Sequence, residues 1–384
     1  MKRTTIGVLT LLAALLGGSS TSYTDYRIGD TDQIQGKQYK SALMRDSSQN
    51  VLMAYASSES RSSLDLALSS HPPFPNKELV VQNQLRLIVF SPHPDDETLS
   101  SAGLIQRVLS KGGQVRIVFI TNGDGFLDGV RCEFDRQETT SQDFIEYGKI
   151  RHTEALQALH ELGLQPGDGI FLGFPDDGID DLLDGHWSKN KPFISPHTRF
   201  DHPQYKESFS RWVKYAANDL RGEIERILTD FSPDWVVLPD PRDAHPDHSS
   251  TGVFVLDALR KLKQDENSSF ADIQAFTYLV HYFDYPASTK WLAEIGSDGV
   301  GGSPAAYRVL SESKWFCLPI TSEELAVKRR ALSAHQSQYE PLFNALLKQF
   351  LIRYELFSHM ETSQIMSVPT EYAAWFEKKN RLAR

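Results

Sequence analysis

His93, Asp95 and Asp96 lie in one short stretch, and His245, Asp247 and His248 bring the same residue types together again far downstream. His93, Asp96 and His248 make a set of two histidines and one carboxylate. Such a set leaves coordination positions open for water and substrate, as a catalytic zinc requires. Asp95, beside a ligand, could accept a proton from water whose pKa a metal lowers toward about 7. Its alternative is to cap a helix that starts near Thr98. His245 could hydrogen-bond an oxyanion or protonate a leaving group, with Asp247 holding its tautomer; the alternative is a surface histidine in a loop. Together these residues point to metal-dependent hydrolysis.

Both clusters follow apolar runs, Leu85–Phe90 and Trp235–Leu238, which read as buried strands. Ligands of open α/β sheets gather at such strand ends. Further strands are expected over Val115–Ile120, Ile170–Leu172 and Phe276–Val280. Helices are expected over Thr98–Ser110, Phe144–Leu162, Trp212–Leu228 and Val253–Leu262. The alternation implies a mostly parallel sheet with helices on both faces. Asp176, Asp177, Asp180, Asp181 and Asp184 fall in an acidic loop without calcium-loop spacing, expected to be solvated. Residues 286–314 read as a loop. Thr321 and Glu324 suggest a capping box for a helix to about Tyr339; after Pro341 a second helical stretch is expected to about His359.

With 384 residues, 40% of them hydrophobic, the chain can bury a large core. A formal net charge of −10 and the lack of any basic run argue against a nucleic-acid partner. Lys2 and Arg3, the short apolar run Ile6–Leu16 and the small residues to Ser22 read as an export signal over residues 1–22, implying a periplasmic or secreted protein. No other run approaches membrane-spanning length. Residues 23–84 are polar and serine-rich, an extension before the main domain at 85–384. Cys132 and Cys317 are the only two cysteines, and sequence alone does not say whether they meet. A dinucleotide fingerprint, a P-loop and a Gly-x-Ser-x-Gly elbow are all absent.

The chain resembles the PIG-L/LmbE-like zinc-dependent N-acetyl-sugar deacetylases over roughly residues 85–340. The specific matches are Ser91–Glu97 and His245–His248. Thr121-Asn122-Gly123, Arg151–Ala155, Phe174–Gly178, Lys328–Leu332 and His335–Gln338 support them. The resemblance implies an α/β, Rossmann-like domain that removes the N-acetyl group from an amino sugar or an N-acetylglucosamine-containing glycan. It implies Zn2+ on His93, Asp96 and His248, Asp95 as general base, His245 as electrostatic and acid partner, and Arg151 and Asp176 at positions that often meet the sugar. The signal, the extension and the long loop from about Asp177 to Tyr205 depart from the family pattern and bear on the substrate. Alternatives are a zinc amidase acting on an acylated antibiotic or thiol conjugate, a non-haem iron oxygenase, and a non-catalytic carbohydrate-binding protein. The strand–helix alternation disfavours the oxygenase, and Asp95 beside the ligands disfavours a pure binder.

Overall fold

The structure, a computed structural model of the chain, describes residues 77–264, 270–282, 314–338 and 347–368. The signal segment and nearly all of the extension lie outside the described residues. Among these residues seven strands form one sheet: β1 (Arg86–Ser91), β2 (Gln114–Thr121), β3 (Gly169–Phe174), β4 (Trp235–Pro239), β5 (Gln274–Tyr278), β6 (Lys314–Pro319) and β7 (Tyr354–Met360). Their order is β3-β2-β1-β4-β5-β7-β6. The first five pair in parallel, and β7 pairs antiparallel with both β5 and β6. The fold is therefore α/β and Rossmann-like, with a mostly parallel sheet.

β1 shows why the sheet is central. From Leu87 to Ser91 every residue is buried, because both faces are covered. Leu87 and Val89 point into a core shared with Ile117 and Phe119 and with residues of the helices α1 (Asp96–Ser110) and α3 (Ser141–Glu161). Ile88 and Phe90 point into the opposite core, built with α5 (Ala217–Phe231) and α6 (Pro246–Lys263). From β1 the chain winds outward to β2 and β3, then returns to place β4 on the other side of β1. The order of winding reverses between β1 and β4, and open α/β sheets take their ligands at the C-terminal strand ends beside such a reversal. The β1–α1 and β4–α6 turns lie there.

Several expectations need correction. The helix expected from Trp212 begins at Ala217, because residues before it join the preceding connection; Tyr215 N–H bonds Asp201 O and Lys214 N–H bonds the Asp219 carboxylate. The stretch expected to be helical up to His359 contains β7 instead. Its residues are buried on both sides between β5 and β6, a pairing to distant segments that overrides local pattern. β6 was not foreseen, nor was the helix α4 (Ile179–Gly185) inside the acidic loop. The capping box of Thr321 and Glu324 is present, but its helix α7 (Ser322–Ala334) stops short of Tyr339, which lies outside the described residues. At the sheet edge, Lys77–Val81 already pack on the domain. Glu78 bridges to Cys317, and Leu79 and Val81 are buried. Cys132 is exposed on α2 (Leu127–Phe134), whereas Cys317 is buried on β6.

The far end of the chain anchors α1. Lys328 of α7 donates to Leu99 O at 2.7 Å and pairs with Glu355 of β7 at 3.0 Å. Glu355 in turn accepts from Gly103 and Leu104 N–H. Both charged side chains are buried. Removing one member strands the other, so Lys328→Ala is expected to lower stability by about 3–5 kcal/mol, measured as a shift in the urea midpoint at unchanged slope.

Candidate metal centre

The turn after β1 is shaped by its own short side chains. Ser91 Oγ donates to His93 O at 2.7 Å and accepts from Glu97 N–H at 3.2 Å. Asp96 opens α1, and its Oδ2 accepts from His93 N–H at 2.9 Å. After β4, Asp243 accepts from His245 N–H through one oxygen and from Val280 and His281 N–H through the other. This ties the end of β5 to the turn before α6. His245 caps α6, Pro246 begins it, and His248 falls in its first turn, fully buried.

Three atoms converge. His93 Nδ1 lies 3.2 Å from Asp96 Oδ2 and 3.2 Å from His248 Nε2, and His248 Nε2 lies 3.1 Å from Asp96 Oδ2. Ligands held about 2.0–2.1 Å from a tetrahedral cation stand about 3.3 Å apart, so this triangle has the dimensions of one face of such a site. Two imidazole nitrogens facing each other at 3.2 Å can share one proton or together face a cation. The other ring atoms are oriented to leave those lone pairs free. His93 Nε2 faces Asp176 at 3.1 Å and Asp247 at 3.2 Å, and His248 Nδ1 faces Asp243 at 3.6 Å. Carboxylates behind ligating histidines set the tautomer in this way.

The electrostatics agree. Burial works against charge on His248, yet Asp96 and Asp243 push its pKa up to about 9. Burial likewise opposes charge on His93, and Asp176, Asp247 and Asp96 outweigh it, raising the pKa well above its usual value. Asp96 is held well below the carboxylate range despite burial, chiefly by His248. The pocket thus favours positive charge, and a metal bound there would compete with protons, so its affinity would rise with pH.

Asp95 is the N-cap of α1 by position, but its side chain makes no capping bond. Its backbone has φ 142°, an unusual value for a residue with a side chain. Burial raises its pKa to about 6, Arg151 opposing and Asp96 reinforcing the shift. Arg151, on α3, is held inside the site. It is buried, and its guanidinium donates to Gly123 O at 2.9 Å, Pro94 O at 2.8 Å and Asp95 Oδ2 at 3.3 Å. Gly123, with φ +65°, is required there, because a Cβ would stand 2.0 Å from Arg151 Nη1.

Asp247 has a different partner from the one expected. Its carboxylate faces His93 Nε2 and accepts from the N–H groups of Asp177, Gly178 and Ile179 at the start of α4. The tautomer of His245 is set by the backbone instead, since Asp247 N–H donates to His245 Nδ1 at 3.2 Å. That leaves Nε2 of His245 to carry the proton. Burial, with the charges of His93 and His248, holds its pKa well below the usual value. Asp176 is buried beside His93 rather than solvated, and its Oδ2 also accepts from Gly125 N–H at 2.6 Å. The connection between α4 and α5 packs against the ends of β2 and β3. Tyr205 Oη donates to Asp124, Tyr215 Oη to Gly173 O, and His197 Nε2 faces Asp177 at 3.4 Å.

A family model described as GlcNAc-PI de-N-acetylase (PIG-L) matches residues 88–259. Over these residues the chain is similar to that family. Its relatives include a 1D-myo-inositol 2-acetamido-2-deoxy-alpha-D-glucopyranoside deacetylase of Mycobacterium sp. (strain KMS), 30% identical over 43% of this chain and 47% of that protein. The chain thus spans about half the length of the first relatives it matches. The enzyme of the same name from Mycolicibacterium smegmatis is 28% identical over 66% of this chain and 80% of its own. Among solved structures, the N,N'-diacetylchitobiose deacetylase of Pyrococcus horikoshii superposes on 88% of this chain and 95% of its own, with 17% identity and a TM-score of 0.39.

Two residues of the site carry no signal in the sequence. Asp243 sits in Pro241-Arg242-Asp243-Ala244, ahead of the histidine motif, where an isolated aspartate carries no signal. His281 follows β5; its ring lies 4.8 Å from that of His248 and 5.2 Å from that of His245. One of its nitrogens groups with ligand atoms of Asp96 and His248, all within 4.8 Å of one another. Only strand order brings it there.

Proposed function

We propose that this protein is a zinc-dependent hydrolase that removes the N-acetyl group from an amino sugar or an N-acetylglucosamine-containing glycan. The observation that carries the reading is the triangle of His93 Nδ1, Asp96 Oδ2 and His248 Nε2 with 3.1–3.2 Å edges. The PIG-L family match and the acetamido-sugar deacetylases among the relatives support the substrate class.

His93, Asp96 and His248 would hold the cation, which when bound polarises an acyl oxygen and acidifies a water. Asp95 takes the proton of the attacking water, with Arg151 beside it to steady the carboxylate. His245, neutral and protonated on Nε2, donates a hydrogen bond to the acyl oxygen as negative charge develops there. Asp95 then returns the proton to the leaving nitrogen, so acetate and a free amine are formed. His93 is kept in register by Asp176 and Asp247 throughout.

The test is to purify the protein, measure zinc by elemental analysis, and assay acetate release from N-acetylglucosamine, N-acetylglucosaminyl-inositol and chitooligosaccharides. About one zinc per chain and acetate release abolished by a chelator and restored by zinc are expected. Zinc-loaded protein that releases acetate from none of these, yet cleaves an acylated antibiotic or thiol conjugate, would transfer the machinery to the other amidase reading.

A further inference from the structure

Glu97 and His335 are fully buried, and the mechanism above uses neither. Glu97 Oε2 accepts from the backbone N–H of Asp95 at 3.1 Å. Its Oε1 accepts from Thr98 Oγ1 at 2.7 Å and lies 3.5 Å from His335 Nε2. Neither ring nitrogen of His335 makes a closer hydrogen bond among the described residues. A carboxylate and an imidazole with no exposure at all are costly to bury, and their mutual approach offsets part of that cost.

Asp95 is where that pair acts. Its φ of 142° is a conformation that costs about 1–3 kcal/mol in a residue with a side chain and persists only where surroundings enforce it. Arg151 grips the carbonyl before it and its carboxylate, while Glu97 grips its N–H. His335 is itself held firmly. It follows α7, and the next residues are tied to α3: Ser337 N–H and Oγ donate to Glu154 at 2.8 and 2.6 Å, and Gln338 Nε2 donates to Tyr147 Oη. Glu154 stands one turn beyond Arg151 on α3, so one helix supports Asp95 from both sides.

We propose that His335 and Glu97 are positioning residues that hold the Asp95 backbone in its strained conformation and so aim its carboxylate at the reacting centre. This rests on Asp95 being the general base. His335 fixes the Glu97 carboxylate, Glu97 fixes the Asp95 N–H, and neither touches substrate.

The experiment is a double-mutant cycle on the zinc-loaded protein, with metal content and acetate release from the best N-acetylated sugar measured for each variant. His335→Ala and Glu97→Gln should each lower kcat about 10- to 100-fold, the scale of misplacing a reacting group, with KM changed by less than about twofold. Zinc stoichiometry should stay at the wild-type level. His335→Gln, which keeps an N–H donor, should recover part of the loss. It also carries the cycle if the alanine variant does not fold. In the Asp95→Asn background, none of these substitutions should lower kcat further. A loss that multiplies with that of Asp95→Asn, or a loss of zinc, would overturn the proposal. If Asp95→Asn is impaired while His335→Gln, His335→Ala and Glu97→Gln are all normal, only this proposal falls. Near-normal turnover of Asp95→Asn removes the base assignment, and the positioning role with it.

Discussion

Asp95→Asn is expected to lower turnover by about 10²–10⁴-fold, the usual contribution of a general base, while zinc content is unchanged. The substitution preserves shape and removes the proton acceptor. Metal retention follows because the three converging atoms belong to His93, Asp96 and His248, not Asp95. The pH dependence gives a second readout. Burial puts Asp95 at about 6, against the pull of Arg151 and before a cation is added beside it. The base works only when ionised, so kcat/KM should rise with pH through an apparent value at or below about 6 and level off above it. That acid limb should vanish in Asp95→Asn. A variant with normal turnover and an unchanged limb would place the base elsewhere.

His248→Ala is expected to empty the metal site, whereas His245→Ala should leave it filled. His248 Nε2 is one of the three converging atoms, and its removal also leaves Asp96 and Asp243 buried without their nearest positive partner. His245 instead spends Nδ1 on the cap of α6. Its loss should slow catalysis by roughly 10²–10³-fold, the effect of one oxyanion donor. The lost cap should cost roughly 1 kcal/mol of stability. Elemental analysis of both purified variants, beside kcat and a thermal melt, decides the matter. Equal zinc loss in the two would make His245 a ligand.

The sequence was most informative where function depends on residues close together in the chain. His93, Asp95 and Asp96 share one turn, and His245, Asp247 and His248 share another, so residue type and spacing were enough to nominate them. β1 to β4 were legible for a related reason, since strands covered on both faces become continuous apolar runs. β7 was not legible. Tyr354-Glu355-Leu356-Phe357 is as compatible with a helix as with a strand, and only pairing with β5 and β6 makes it one.

Within the site, the sequence could name acids and histidines but could not say which face each other. Asp247 was paired with His245 because they are neighbours in the chain. The fold gives its carboxylate to His93, at the end of the neighbouring strand β1, and leaves His245 to a backbone N–H. Arg151 is nominated by family resemblance alone, and the fold adds a contact no spacing could show, its pairing with Asp95. Asp176 looked solvated and is held against His93. His335 lies far from Asp95 in the chain and reaches its surroundings through Glu97. Chain-local chemistry belongs to the sequence, because covalent spacing brings those groups together in any fold. Which carboxylate orients which imidazole is decided by strand order and helix packing, because those contacts join residues that only the tertiary structure makes neighbours.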